Sequence, residues 1–155
     1  MTDIQTLTIL MGQHERQRDA AIAEHQRTKA AADAARSQAE QLRHYRSDYE
    51  RRWNAQFRLE GKIELVHCYQ SFMERLTLAV EQQARIAEHA LQGVDRAAAA
   101  LRDAELRCAS VRKLIERRLV EQRISLERRE QKQTDEAAAR AAWTRIGATR
   151  PAPFM

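Results

Sequence analysis

The sequence predicts an all-α protein: an antiparallel two-helix coiled-coil hairpin with a longer, overhanging second helix. Three observations predict it. Glycine (4 residues) and proline (2) are scarce in a chain of 155 residues, and 32% of the residues are charged. That mixture suits long helices. Aromatic residues make up only 5%, too few for a thick globular interior but enough for a seam between helices. Apolar residues also recur with a heptad period over most of the chain.

The first helix is expected over about residues 3–58. From Thr2 to Phe57 there is no proline and one glycine, Gly12. Its seam positions read Leu7, Met11, His14, Arg18, Ala21, His25, Thr28, Ala32, Ala35, Ala39, Leu42, Arg46, Tyr49 and Trp53, and nine of these fourteen are apolar. The weak stretch runs from His14 to Thr28. A turn is expected at about 59–62, Leu59-Glu60-Gly61-Lys62, with Gly61 as a left-handed helix stop.

The second helix is expected over about 63–146, where the sole glycine is Gly93. Its seam reads Val66, Tyr69, Met73, Leu76, Val80, Gln83, Ala87, Ala90, Val94, Ala97, Leu101, Ala104, Cys108, Val111 and Ile115, with fourteen of fifteen positions apolar. The same register then meets Arg118, Gln122, Ser125, Arg129, Lys132 and Glu136, all polar. The seam therefore ends near Ile115 while the helix-forming composition continues. Gly147, Pro151 and Pro153 are expected to close the helix. Residues 1–146 then form a single hairpin, with 147–155 as a flexible tail.

A short connection makes the helices antiparallel. Facing residues then have numbers that add to about 121 on the heptad geometry. Leu42 meets Ala79 or Val80, Tyr45 meets Leu76, Tyr49 meets Phe72 or Met73, and Trp53 lies near Tyr69. Ala30–Ala35 faces Ala84–Ala90, and Leu7 meets Leu114 or Ile115. The first helix thus runs out where the second loses its apolar seam. The paired part is about 80 Å long and the second helix about 125 Å. Glu116 to Ile146 overhangs as a lone charged helix, marginal in water. Pairs such as Arg128 with Lys132 are repulsive, so this helix makes most sense with another protein receiving it.

Net charge is +5, but the charges are mixed. Residues 1–60 hold 10 basic and 9 acidic groups, 61–115 hold 8 and 7, and 116–155 hold 9 and 6. No block of like charges marks a nucleic-acid tail. No apolar run is long enough to span a membrane, and Asp3 stands where a signal peptide needs basic residues; a cytoplasmic protein is expected. Cys68 and Cys108 are 40 residues apart on one helix, about 60 Å along its axis. A disulfide needs Cα atoms within about 7 Å, so both thiols read as reduced seam residues.

No phosphate loop, nucleophile elbow or metal-ligand spacing is present. His14, His25, His44, His67 and His89 are dispersed, and His67 and the adjacent Cys68 point in different directions on a helix. No enzyme, metal or cofactor is expected. The aromatic cluster is more informative. Tyr45, Tyr49, Trp53, Phe57, Tyr69 and Phe72 all lie near the turn. Two readings stay open: core packing that pins the register, or an exposed apolar patch beside Leu76 that binds a partner.

The run Glu127-Arg128-Arg129-Glu130-Gln131-Lys132-Gln133-Thr134-Asp135-Glu136 resembles the C-terminal signature of the flagellar export protein FliJ family. Tyr45-Arg46 with Tyr49, and Tyr69 with Phe72 and Leu76, resemble that family too, and the similarity covers nearly the whole chain. It implies a coiled coil similar to the γ subunit of rotary ATP synthases. It implies a stalk that binds the hexameric export ATPase FliI, promotes its ring assembly and activity, and couples it to the export gate protein FlhA and to export chaperones. The implied gate-binding residues are Gln38, Leu42, Tyr45, Tyr49, Phe72, Leu76 and Ala79, with Gln83 in a related place. The overhang with the N-terminal helix end is expected to enter the ATPase ring, using Arg117, Arg118, Arg128, Arg129 and Glu130. The implied location is cytoplasmic, peripherally associated with the inner membrane at the flagellar base, and the free protein is expected to be a monomer. Three rival readings are the equivalent stalk of a virulence type III secretion system, a basic nucleic-acid-binding coiled coil, and a structural coiled coil that dimerises through exposed seams.

Overall fold

The computed structural model describes residues 3–59 and 61–149. It contains two helices, α1 (Asp3–Leu59) and α2 (Ile63–Ala148), joined by a short turn. Both ends of each helix suit its dipole. Asp3 and Glu64 stand in the first turns, and Arg58 and Arg145 in the last, where their charges oppose the terminal partial charges. The Lys62 carbonyl accepts the Val66 amide at 3.2 Å and so starts α2. The chain doubles back as an antiparallel hairpin, and the second helix is the longer. No helix is long and apolar enough to cross a membrane among the described residues.

The chain divides into two compact units. One spans His14–Cys108 and contains the turn. Here every seam position named above is buried or half-buried. The deepest are small: Ala32, Ala35, Ala39, Ala97, Ala104 and Cys108, with Leu76 and Val80. Small side chains let two backbones approach closely, so their methyl groups lose contact with water. His14, Arg18, His25, Thr28 and Arg46 also keep their seam places, half-buried. The weak stretch of α1 is therefore paired as well. Gln83 donates to the Gln38 side chain at 3.2 Å and to the Ala35 carbonyl at 3.5 Å, which gives the one polar residue of the α2 seam its acceptors.

The other unit comprises Met1–Gln13 and Ala109–Met155. Met11 and Val111 are buried in it, and Ile4, Leu7 and Ile115 are half-buried. From Glu116 to Thr149 every residue is exposed, so the seam of this unit ends at Ile115. α2 continues through Gly147 to Ala148. The tail expected from residue 147 lies, from residue 150 onward, outside the described residues.

Two expectations are corrected. No described glycine has a positive φ, so Gly61 is not a left-handed stop. An added Cβ there would meet only the Phe57 carbonyl oxygen, at 4.0 Å, and the turn is made without the backbone freedom special to glycine. Cys68 is not a seam residue: it is exposed, whereas Cys108 is buried. Cys68 precedes the seam residue Tyr69 by one position, and one helical step of about 100° swings it out of the contact.

Candidate interaction surfaces

α1 carries Tyr45, Tyr49, Trp53 and Phe57 at four-residue intervals, which stacks side chains along one helical stripe. Successive ring centroids are 6.0, 5.8 and 5.3 Å apart. From α2, Phe72 lies 4.4 Å from Tyr49. Tyr69 meets Tyr49 at 6.5 Å, Trp53 at 5.5 Å and Phe57 edge-on at 5.3 Å. Such pairs each add about 0.5–1.5 kcal/mol beyond area burial. The cluster packs as a core that pins the register, with one ring outside it. Five rings are half-buried in the seam, and Tyr45 stands outside it, 51% exposed.

Burial, with the Glu50 carboxylate adding to it and Arg46 opposing, raises the Tyr69 phenol above the ordinary tyrosine value; both burial and a nearby negative charge disfavour the phenolate. Arg46 holds its own Nε buried without an acceptor. It lines an open groove with Tyr69, Gln70, Met73, Glu74 and Thr77.

The residues expected to form a gate-binding surface are divided by depth. Gln38, Leu42 and Tyr45 line one shallow groove of about 460 Å³ together with Gln41 and Gln83. Tyr49, Phe72 and Ala79 are half-buried beside the seam. Leu76 is 8% exposed and belongs to the core, so no ring lies beside an exposed Leu76. Gln41 was missed by sequence reasoning. The signal was available, because Gln41 lies three residues after Gln38 and four before Tyr45, on the same stripe. Leu78 and Ile86, 62% and 48% exposed, were missed as well. Leu78 stands at an outward heptad position, where an apolar residue is unexpected, and Ile86 flanks the seam beside Ala87.

In the unit that holds the overhang, Arg117, Arg118, Arg128, Arg129 and Glu130 are all exposed. Arg117 and Arg128 are eleven residues apart, as are Arg118 and Arg129. Eleven residues are close to three full helical turns, about 16 Å, so the four guanidinium groups form two parallel tracks. Arg118 pairs with Glu121 at 3.5 Å, Arg123 with Glu127 at 3.9 Å, and Arg140 with Glu136 at 3.7 Å. Gln131 donates to Asp135 at 3.1 Å. These neighbours support a helix that has no seam, by a few tenths of a kcal/mol (about 0.2–0.5) each. Arg117, Arg128 and Arg129 make no ion pair among the described residues. No group of three or more His, Cys, Asp or Glu side chains could hold a metal ion among the described residues.

Comparison with known proteins returns one family. The model of the flagellar FliJ protein family matches residues 4–147, which takes in nearly all of α1 and α2. No curated protein and no solved structure matches the chain.

Proposed function

The chain belongs to the FliJ family of flagellar proteins, and from that membership we propose that it is a non-enzymatic stalk bridging an ATPase ring to an export gate. Family membership supports a component of the flagellar export apparatus. The finer assignment is our reading of the two surfaces. The overhang of α2 inserts into the hexameric export ATPase FliI, promoting ring assembly and turnover. Arg117, Arg118, Arg128, Arg129 and Glu130 make the polar contacts. Charge complementarity of this kind gives specificity and speed of association more than raw affinity.

The second surface engages the export gate protein FlhA and, in turn, export chaperones. Tyr45 is its anchor, in the groove with Gln38, Leu42, Gln41 and Gln83. Tyr49, Phe72 and Ala79 supply the half-buried flank. Leu76 acts from the core, holding the stripe in place. The free protein is a monomer in this reading, works in the cytoplasm, and is held peripherally at the inner membrane through its partners.

One observation supports this assignment above the others: every residue from Glu116 to Ala148 is exposed on a continuous helix. Such a helix buries no apolar face of its own and gains its stability from a receiving partner. The test compares ATP turnover of the purified ATPase with the full-length chain and with a chain ending at Ile115. Equal stimulation by both sinks the assignment of the overhang. For the gate surface, Tyr45→Ala is expected to weaken FlhA binding at least tenfold with unchanged helix content, and unchanged binding refutes that part.

A further inference from the structure

The overhang of α2 consists of two chemically different segments. From Glu116 to Glu136, six basic side chains stand among six acidic ones. From Ala137 to Ala148 the charged residues are Arg140 and Arg145 alone, and the sequence beyond adds Arg150 and no acidic residue. The positive excess of the C-terminal forty residues is therefore concentrated past Glu136. Apolar residues stand in both segments, with Leu119, Val120, Ile124 and Leu126 exposed in the first, but only the second combines a tryptophan with the absence of acidic side chains. Ala139, Trp143 and Ile146 follow at intervals of four and three, which aligns them on one helical stripe. Trp143 is 75% and Ile146 61% exposed. Arg140 flanks the stripe, paired with Glu136 at 3.7 Å with both side chains largely in water. Arg145 stands on the other flank of the stripe, one helical step of about 100° from Ile146.

We propose that the C-terminal end of α2, Ala137 to Ala148, is an interfacial anchor for an anionic phospholipid surface. Trp143 and Ile146 enter the boundary between headgroups and acyl chains, and Arg140 and Arg145 hold lipid phosphates. An indole with an apolar body and one N–H is suited to that boundary. A helix with a narrow apolar stripe and basic flanks lies in the plane of the membrane rather than across it, and among the described residues no helix is long and apolar enough to cross. Charge complementarity selects the lipid. Each arginine near an anionic surface raises partitioning about fivefold, and no acidic side chain from Ala137 to Ala148 opposes it. A nucleic acid would use the same arginines but leave Ile146 and Ala139 in water. One tryptophan makes a weak, reversible contact, so it serves the chain while its overhang is not occupied by a partner. The anchor involves none of the five residues assigned to the ATPase ring, so the two readings stand or fall separately.

The test uses the full chain with Trp53→Phe, which leaves Trp143 as the sole indole, and vesicles of phosphatidylcholine with or without phosphatidylglycerol at low salt. The expected result is a blue shift of Trp143 emission, and its quenching by brominated acyl chains, with the anionic vesicles only. Trp143 is too exposed for Trp143→Ala to disturb folding. That variant is expected to lower co-flotation of the otherwise unaltered chain with anionic vesicles about tenfold, and Arg140→Ala with Arg145→Ala about 25-fold, from fivefold each. Three results overturn the proposal: no shift with anionic vesicles, flotation unaffected by Trp143→Ala, or an equal shift with a single-stranded oligonucleotide at matched charge.

Discussion

Replacing Tyr49 by alanine removes the ring with the most aromatic neighbours, touching Tyr45, Trp53, Tyr69 and Phe72 at centroid distances of 4.4–6.5 Å. The ring is half-buried, so roughly 100 Å² of the ~200 Å² of an aromatic side chain leaves water. At about 25 cal/mol per Å² this burial contributes roughly 2.5 kcal/mol. The alanine methyl and the neighbouring rings keep part of that area covered, which offsets the ring-pair terms, and the expected loss is about 3 kcal/mol, the low end for truncating an aromatic ring. Tyr45→Ala is the internal control. It lies one turn away on the same stripe and is 51% exposed, with a single ring partner, so about 1 kcal/mol or less is expected. Urea unfolding followed by Trp53 fluorescence is the assay, since Trp53 packs directly on Tyr49. With an m-value of about 2 kcal/mol per M, the Tyr49→Ala midpoint falls by about 1.5 M. Tyr49→Phe keeps the ring and is expected to stay near wild type. If Tyr49→Ala and Tyr45→Ala shift the midpoint equally, the ring stack is not what holds the turn-proximal seam.

Four further outcomes are expected. Gly93→Ala stabilises the helix by about 0.5–1 kcal/mol in thermal unfolding, because an added Cβ meets only the far end of the Arg96 side chain, at 3.9 Å; a lower midpoint contradicts this. A thiol reagent modifies Cys68 at once in the native protein and Cys108 only on unfolding, so two equally fast thiols would refute the packing of Cys108. Amide hydrogen exchange is faster from Glu116 onward than at the seam positions between Ala32 and Cys108, because an unpaired helix opens locally at little cost. The raised Tyr69 phenol makes stability depend on alkaline pH. Its contribution is fully present below the ordinary tyrosine value of about 10 and is lost as pH rises through the higher folded value; Tyr69→Phe flattens that loss, and an unchanged alkaline profile shows that other groups cause it.

Much of the hairpin was legible because periodicity is an angular property. A heptad read from Val66 to Ile115 names positions on one side of a helix, and all fifteen are buried or half-buried, Gln83 among them. The same angle carried Arg118, Gln122 and Ser125 into solvent and so located the end of the seam. Register was legible too. Tyr49 on Phe72 and Gln38 with Gln83 are the pairs that a turn near residue 61 implies for antiparallel helices. Gly61 misled on one point, since glycine is common at left-handed stops but does not require one.

Depth was a different matter. A heptad letter states direction, not how far a side chain travels before it meets water. In a two-layer seam the short methyl groups of Ala32, Ala35 and Ala39 disappear while the longer rings of Tyr49, Trp53 and Tyr69 protrude. Leu76 and Tyr45 separate into core and surface by direction instead, since Leu76 is a seam position and Tyr45 stands beside the seam. The order of residues along each helix was therefore enough to say which side faces the partner helix and where pairing stops. Which atoms remain available to another molecule depends on the distance between two backbones, and that distance is set jointly by side chains far apart in the chain.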